Sequence, residues 1–179
     1  GVTGDTVSAA TLSFNNKNAA SGTKVVTASG ATVSDGNSGL NYSLSYGSNS
    51  TSTINQKALT ISGITAADKV YDRLTTATVS TTGANMAATL QANGMVSGDD
   101  ITVSATGNFR NAGNTANDKN GGNSKTVLLS STYGGADVGN YAITDQPTTT
   151  ASISARPLTV TGLNASDKSY DGSTTAQVN

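Results

Sequence analysis

The residues of this chain that can do chemistry are aspartates, lysines and tyrosines, and they fall in short clusters. Asp99 and Asp100 are adjacent, and with Asp68 or Asp72 they would supply the oxygens of a calcium site. Calcium takes six to eight oxygen ligands from several converging groups. The chain has no Asp-x-Asp-x-Asp loop, and all eleven acidic residues are Asp. Asp99 and Asp100 are therefore calcium candidates that the spacing itself does not favour. Tyr71-Asp72 and Tyr170-Asp171 read either as a ligand-binding pair or as turns. In a turn the Asp side chain bonds backbone just ahead of it, and the Tyr packs with its hydroxyl on backbone. The turn explains both residues, so Lys69, Tyr71, Asp72, Lys168, Tyr170 and Asp171 are assigned to a structural motif. A Lys-to-Asn crosslink at Lys69 or Lys168 would need several charged groups buried together, which is costly.

The missing residues exclude more. There is no Cys, His or Trp. Thiolate and imidazole metal ligands are absent, no disulfide can form, and a general base suited to neutral pH is hard to build. The net charge is −1, with ten Lys and Arg scattered along the chain. Nucleic-acid binding needs a concentrated basic surface. No apolar stretch approaches the roughly 20 residues that span a bilayer. The expectation is a non-enzyme with no cofactor, no nucleic-acid partner and no membrane span.

A long repeat positions these clusters. Leu59-Thr60-Ile61-Ser62-Gly63-Ile64, followed by Asp68-Lys69-Val70-Tyr71-Asp72, returns 99 residues later as Leu158-Thr159-Val160-Thr161-Gly162-Leu163 and Asp167-Lys168-Ser169-Tyr170-Asp171. Val2-Thr3-Gly4-Asp5 matches Val96-Ser97-Gly98-Asp99, Phe14 matches Phe109, and Asn41-Tyr42 matches Asn140-Tyr141. Residues 1–56 thus read as the later part of one repeat, 57–155 as a whole repeat and 156–179 as the start of a third. A domain-length period means stacked units rather than one globule around one site. The chain reads as a fragment that begins inside a repeat.

Period-two alternation predicts strands at Leu40 to Tyr46, Ile101 to Ala105, Tyr141 to Ile143, Ala151 to Ala155 and from Leu59 to Ile61. Val127-Leu128-Leu129 reads as a short buried run. Val7 to Phe14 matches Ile101 to Phe109 only with a one-residue gap, which predicts a β-bulge. One short helix is expected near Ala84 to Ala92. Ser, Thr, Asn and Gly make up about half the chain, which suits strands joined by many turns. The fold class expected is all-β: tandem antiparallel β-sandwiches, immunoglobulin-like and Greek-key, in an extended rod. Tyr141 stands where a tyrosine corner would place it. The 99-residue period is too long for the coils of a parallel β-helix. Three sequons, at Asn41, Asn49 and Asn164, are expected by chance in so Asn- and Ser-rich a chain.

Lys69-Val70-Tyr71-Asp72 and Lys168-Ser169-Tyr170-Asp171-Gly172, with the Leu-Thr-x-x-Gly opening, Ser97-Gly98-Asp99 and Gly139-Asn140-Tyr141, resemble the YDG repeats of bacterial surface proteins; related MBG repeats look similar. Arg73 departs from the pattern, standing where the second copy has Gly172. The resemblance implies a stalk or matrix-spanning segment of a large secreted adhesin, of the filamentous-haemagglutinin type exported by two-partner secretion. It would lie outside the cell or on the bacterial surface. Its partners would be neighbouring repeats, an extracellular glycan or matrix, and other copies joined by strand complementation. The alternative function is a β-sandwich module that binds a glycan or protein.

Overall fold

Alternating apolar residues become strands in this chain where a neighbouring strand is available to pair. The computed structural model describes residues 2–178. In chain order the strands are β1 (Thr6–Val7), β2 (Thr11–Phe14), β3 (Ala20–Ser29), β4 (Val33–Ser34), β5 (Ser48–Ile54), β6 (Lys57–Thr60), β7 (Thr65–Ala66), β8 (Lys69–Val70), β9 (Thr76–Ala77), β10 (Val79–Ser80), β11 (Thr102–Phe109), β12 (Gly122–Gly134), β13 (Tyr141–Thr144) and β14 (Thr148–Ser154). One α-helix, α1 (Ala87–Ala92), lies before β11, and a single 3-10 turn (Val138–Asn140) precedes β13. The fold is all-β.

The centre is a five-stranded sheet in the order β8-β14-β12-β11-β9. Its apolar residues share one face, as the period of two requires. Val103 and Phe109 of β11, Val127 of β12 and Ala151 and Ile153 of β14 are all buried. A second layer covers that face. Leu59 of β6, Leu90 of α1 and Tyr141 of β13 pack with Ile61, Ile64, Met95, Ile101 and Val103. Leu129 touches both this cluster and the one around Phe109, so the two merge into one core. Among the described residues every buried apolar residue lies between Leu59 and Ile153, these two included.

Residues 2–54 carry a smaller sheet, β2-β3-β5. Its register repeats that of β11-β12-β14 in part, for Val26 pairs with Asn49 one residue away from the place where Val127 meets Thr149. Phe14 pairs with Val26 as Phe109 pairs with Val127. Lys24 pairs with Ser52 as Lys125 pairs with Ala151. Ala20 opposes Ile54 as Gly122 opposes Ile153. In this smaller sheet only Lys24 is buried.

Several expectations change on inspection. The pairing is not wholly antiparallel: β13–β6 is a parallel pair, and the five-stranded sheet is mixed because β14–β8 is parallel. Residues 40–47 form no strand despite their alternation. Their copy, β13, is a strand because β6 pairs with it; no strand pairs with residues 40–47. Val7 to Phe14 does not bulge but splits into β1 and β2, with β1 turning away to pair with β4. Register irregularities lie instead between Gly122 and Lys125 in β12, and between Ala20 and Lys24 and between Lys24 and Val26 in β3. In the run Val127-Leu128-Leu129, Leu128 points outward and is exposed. The helix starts three residues later than expected, at Ala87, after Met86, which gives no side-chain cap.

Candidate functional site

The Lys-x-Tyr-Asp motif builds the same ring of hydrogen bonds twice. Lys69 Nζ lies 2.9 Å from Asp72 Oδ1, 2.8 Å from the Leu74 carbonyl and 3.0 Å from that of Thr76. Asp72 Oδ1 also accepts from Leu74 N at 2.9 Å. In the second copy Lys168 Nζ reaches Asp171 Oδ1 and the Ser173 carbonyl, both at 2.9 Å, and Ser173 N donates to Asp171 at 2.9 Å. The lysine ammonium and the backbone amide hold the Asp72 and Asp171 carboxyls below the usual range. Both carboxylates are thus engaged within the turn. The lysines meet aspartates and carbonyls and are not aimed at an asparagine. Tyr71 packs on the Phe109 cluster, whereas Tyr170 is 98 % exposed.

Arg73 takes φ = +69°, matching the +72° of Gly172. The turn keeps its left-handed residue even where the sequence supplies no glycine. A non-glycine residue there is strained by about 1–2 kcal/mol, while glycine loses about 0.5–1 kcal/mol more chain entropy. Arg73→Gly should therefore stabilise the chain by about 0.5 kcal/mol, read as a higher urea midpoint at unchanged slope.

Tyr141 does not make a local tyrosine corner. Its hydroxyl accepts from Val96 N at 2.8 Å and donates to Asp99 Oδ2 at 2.7 Å, clamping β13 to a loop some 40 residues earlier. Burial, then the adjacent Asp99 carboxylate, push the phenol up, so it stays a neutral donor. The first copy repeats the clamp: Val2 N reaches Tyr42 Oη at 3.2 Å, and Tyr42 Oη donates to Asp5 Oδ2 at 2.6 Å.

The other oxygen of Asp99 joins the loop after β2 to the loops before β11 and β13. Lys17 Nζ lies 2.9 Å from Asp99 Oδ1 and 2.9 Å from Asp137 Oδ1. The two carboxylate side chains are only 12 % and 16 % exposed. Beside them Ala19 N donates to Asn140 Oδ1 at 2.8 Å, and Gln56 Nε2 donates to the Gly139 carbonyl at 3.1 Å. The β2–β3 hairpin loop is thereby seated on the loops before β11 and β13. Asp100 shapes the seat: its N donates to Asp137 Oδ2 at 3.0 Å, and its Oδ2 accepts from Ala136 N at 2.9 Å. The calcium candidates Asp99 and Asp100 are thus occupied by protein donors, and neither Asp68 nor Asp72 joins them. Asp68 accepts from Ser152 N. Among the described residues no three acidic groups gather to hold a metal.

Lys17, Asp137 and Asn140 were not singled out as a site by sequence. The available signal was that Lys17-Asn18 recurs as Lys119-Asn120. A cleft of about 280 Å³ remains at the seat, between Lys17, Ile54, Lys57, Val96 and Tyr141. That is below the range of about 300–1,000 Å³ usual for small-molecule sites.

The sequence profile of the YDG domain matches residues 55–151. The chain belongs to the YDG domain family. No curated protein and no solved structure matches it. The match contains α1, β8, β9, β11, β12, the first part of β14 and the Asp99–Asp137 seat; the end of β14, with the core residue Ile153, lies just beyond it. Lys17 reaches into the YDG domain from the preceding segment.

The seat has a defined pH response. Asp99 is held low by Lys17 and Tyr141, and Asp137 by the Asp100 amide and then Lys17. Lys17 is raised by the two aspartates. The aspartates' contribution is present above the ordinary carboxylate range, about 4, and is lost as pH falls through their lowered values. That of Lys17 is present below about 10.4 and is lost as pH rises through its raised value. The loop should stay seated between these limits and lift as pH falls through the lowered values of Asp99 and Asp137. Lys17→Ala should lift it at neutral pH. In both cases hydrogen exchange of the Ala19 amide accelerates while that of Val127 in β12 does not.

Proposed function

We propose that the chain is a structural spacer, a stalk segment of a large secreted bacterial adhesin built from tandem β-sandwich repeats in an extended rod. The observation that carries this reading is the seat that joins consecutive repeats. Lys17 between Asp99 and Asp137 and Ala19 on Asn140 restrict swivel between the segment before residue 55 and the YDG domain. Only Arg156-Pro157 follow Ala155 before the third repeat opens, and so short a connection also limits swivel. Family membership and the lack of His, Cys and Glu support a mechanical role over an enzymatic one. The partners in this reading are the neighbouring repeats, at the bacterial surface or in its extracellular matrix.

Small-angle scattering on the full chain tests the reading. A rod gives a cross-section plateau and a maximum dimension longer than a globule of this length allows. A globular profile with a radius of gyration near 16 Å, the value for a compact chain of this size, overturns it. Robust binding on a glycan array would favour a binding module instead.

A further inference from the structure

The loop between β2 and β3 and the loop between β11 and β12 are built by the same devices. Each ends in a turn in which a side-chain oxygen receives the amide two residues on: Asn18 N donates to Asn16 Oδ1 at 3.1 Å, and Asn120 N to Asp118 Oδ1 at 3.0 Å. In each, a lysine of the following strand holds that same side chain. Lys24 Nζ donates to Asn16 Oδ1, and Lys125 Nζ to Asp118 Oδ2. In each, the residue caught between is a second lysine, Lys17 or Lys119, and both are exposed. The β11–β12 loop is longer, but its extra residues close on themselves. Arg110 bridges to Asn117, and Asp118 N returns to the Phe109 carbonyl at 2.9 Å. Lys119 therefore emerges beside the end of its hairpin ladder, as Lys17 does.

The first loop shows what such a loop binds. Lys17 sits between Asp99 and Asp137, and Ala19 N donates to Asn140 Oδ1. We propose that the β11–β12 loop is the corresponding plug for a further YDG domain. Lys119 enters the two aspartates that match Asp99 and Asp137 there, and Gly121 N, at the place of Ala19, donates to the residue that matches Asn140.

Plug and seat stand at opposite ends of one hairpin. Thr102 pairs with Gly134 beside the seat, and Phe109 pairs with Val127 beside the plug. At a rise of about 3.4 Å per residue the ends of β11 lie about 24 Å apart, too far for Lys119 to reach the aspartates of its own domain. Each YDG domain thus offers a cation at one end and receives one at the other. The connection has the length this needs. Two residues, Asn55 and Gln56, separate Ile54 from Lys57, and two, Ser154 and Ala155, separate Ile153 from Arg156, where the sequence of the domain opening recurs.

A contact between two different surfaces is head-to-tail and repeats along an array. One ammonium shared by two aspartates fixes both partner and orientation, because a seat without both carboxylates leaves the lysine poorly paired. The proposal deepens the spacer reading and rests on it, since it needs a further YDG domain in line.

A carbodiimide, which condenses a lysine amine with a carboxylate in contact and takes up the water lost, tests this. In the full chain it should join Lys17 to Asp99 or Asp137, which calibrates the yield. The chain is then extended: residues 1–155 are followed directly by a second copy of residues 57–155, the stretch that holds every buried apolar residue among those described. The expected result, read by peptide mass in the monomer band, is a new link from Lys119 to Asp99 or Asp137, at a yield comparable to that of Lys17 and several-fold above any link from Lys57 or Lys69 to those aspartates. A second measurement does not depend on folding of the added copy. Lys17→Ala vacates the seat of the unextended chain, so concentrated samples should give the Lys119 link between two chains several-fold more than wild type does. No Lys119 link in either experiment, or links no more frequent than those of Lys57 and Lys69, overturns the proposal. A rod by scattering with no Lys119 link overturns the plug alone and leaves the spacer reading standing.

Discussion

Phe109→Ala is expected to cost the fold about 3–5 kcal/mol, the largest effect of any single truncation. The ring is fully buried among Val127, Ala151, Ile153, Leu129 and Tyr71. Removing it loses the transfer energy of the ring and leaves a cavity at the centre of the five-stranded sheet, where β11, β12 and β14 cannot close without breaking their ladders. It also takes away the face on which the Lys69 ammonium rests. Small domains have only about 5–15 kcal/mol in total, so much of the margin goes. The chain carries its own control. Phe14 holds the same register position in β2 but is 46 % exposed, and Phe14→Ala should cost less than about 1 kcal/mol. Urea denaturation of both variants decides it, and equal losses would contradict the assignment of the core.

Gly135→Ala is the second large effect, expected near 2–4 kcal/mol. Gly135 has φ = +102°, where a side chain is strained whatever the space. The space is also missing: a Cβ would lie 2.3 Å from the Asp100 carbonyl oxygen and 2.9 Å from Ile101 Cα. Both contacts are backbone, so the substitution must push the Asp100–Ile101 chain away. That backbone forms the Lys17 seat, since Asp137 N donates to the Asp100 carbonyl. The variant should therefore lower the melting temperature and also accelerate exchange at Ala19. Gly139, four residues on, has no atom within 4 Å of its Cβ position and no positive φ. Gly139→Ala should stay within about 0.5 kcal/mol of wild type. Indistinguishable melting temperatures for the two variants would refute the close approach.

Much of the core was legible because period-two alternation is written into β6, β11, β13 and β14, whereas the two-residue strands β7 to β10 are too short to show it. The parallel pairings were not legible. Alternation fixes which face a residue takes but not the direction of the neighbouring strand, and β6 joins β13 from more than 80 residues away. The Lys17 seat escaped for a similar reason. A lysine between two aspartates 82 and 120 positions later has no local signature; only its recurrence as Lys119 hinted at it.

The paired copies separate the two levels. The Lys-x-Tyr-Asp ring forms at Lys69 and again at Lys168, with and without a core beneath it, and Arg73 and Gly172 take nearly the same φ. That much the residues determine alone, because the ring's hydrogen bonds close over a few residues and need no distant partner. Whether the adjoining side chains are buried was decided only by tertiary structure. Tyr71 packs inside and Tyr170 stands in solvent; Tyr141–Thr144 is a strand, and residues 42–45 are not. A strand and its apolar face are stable only when another strand satisfies the backbone and another layer excludes water. The YDG domain brings those partners together, and the flanking copies, carrying the same residues, lack them.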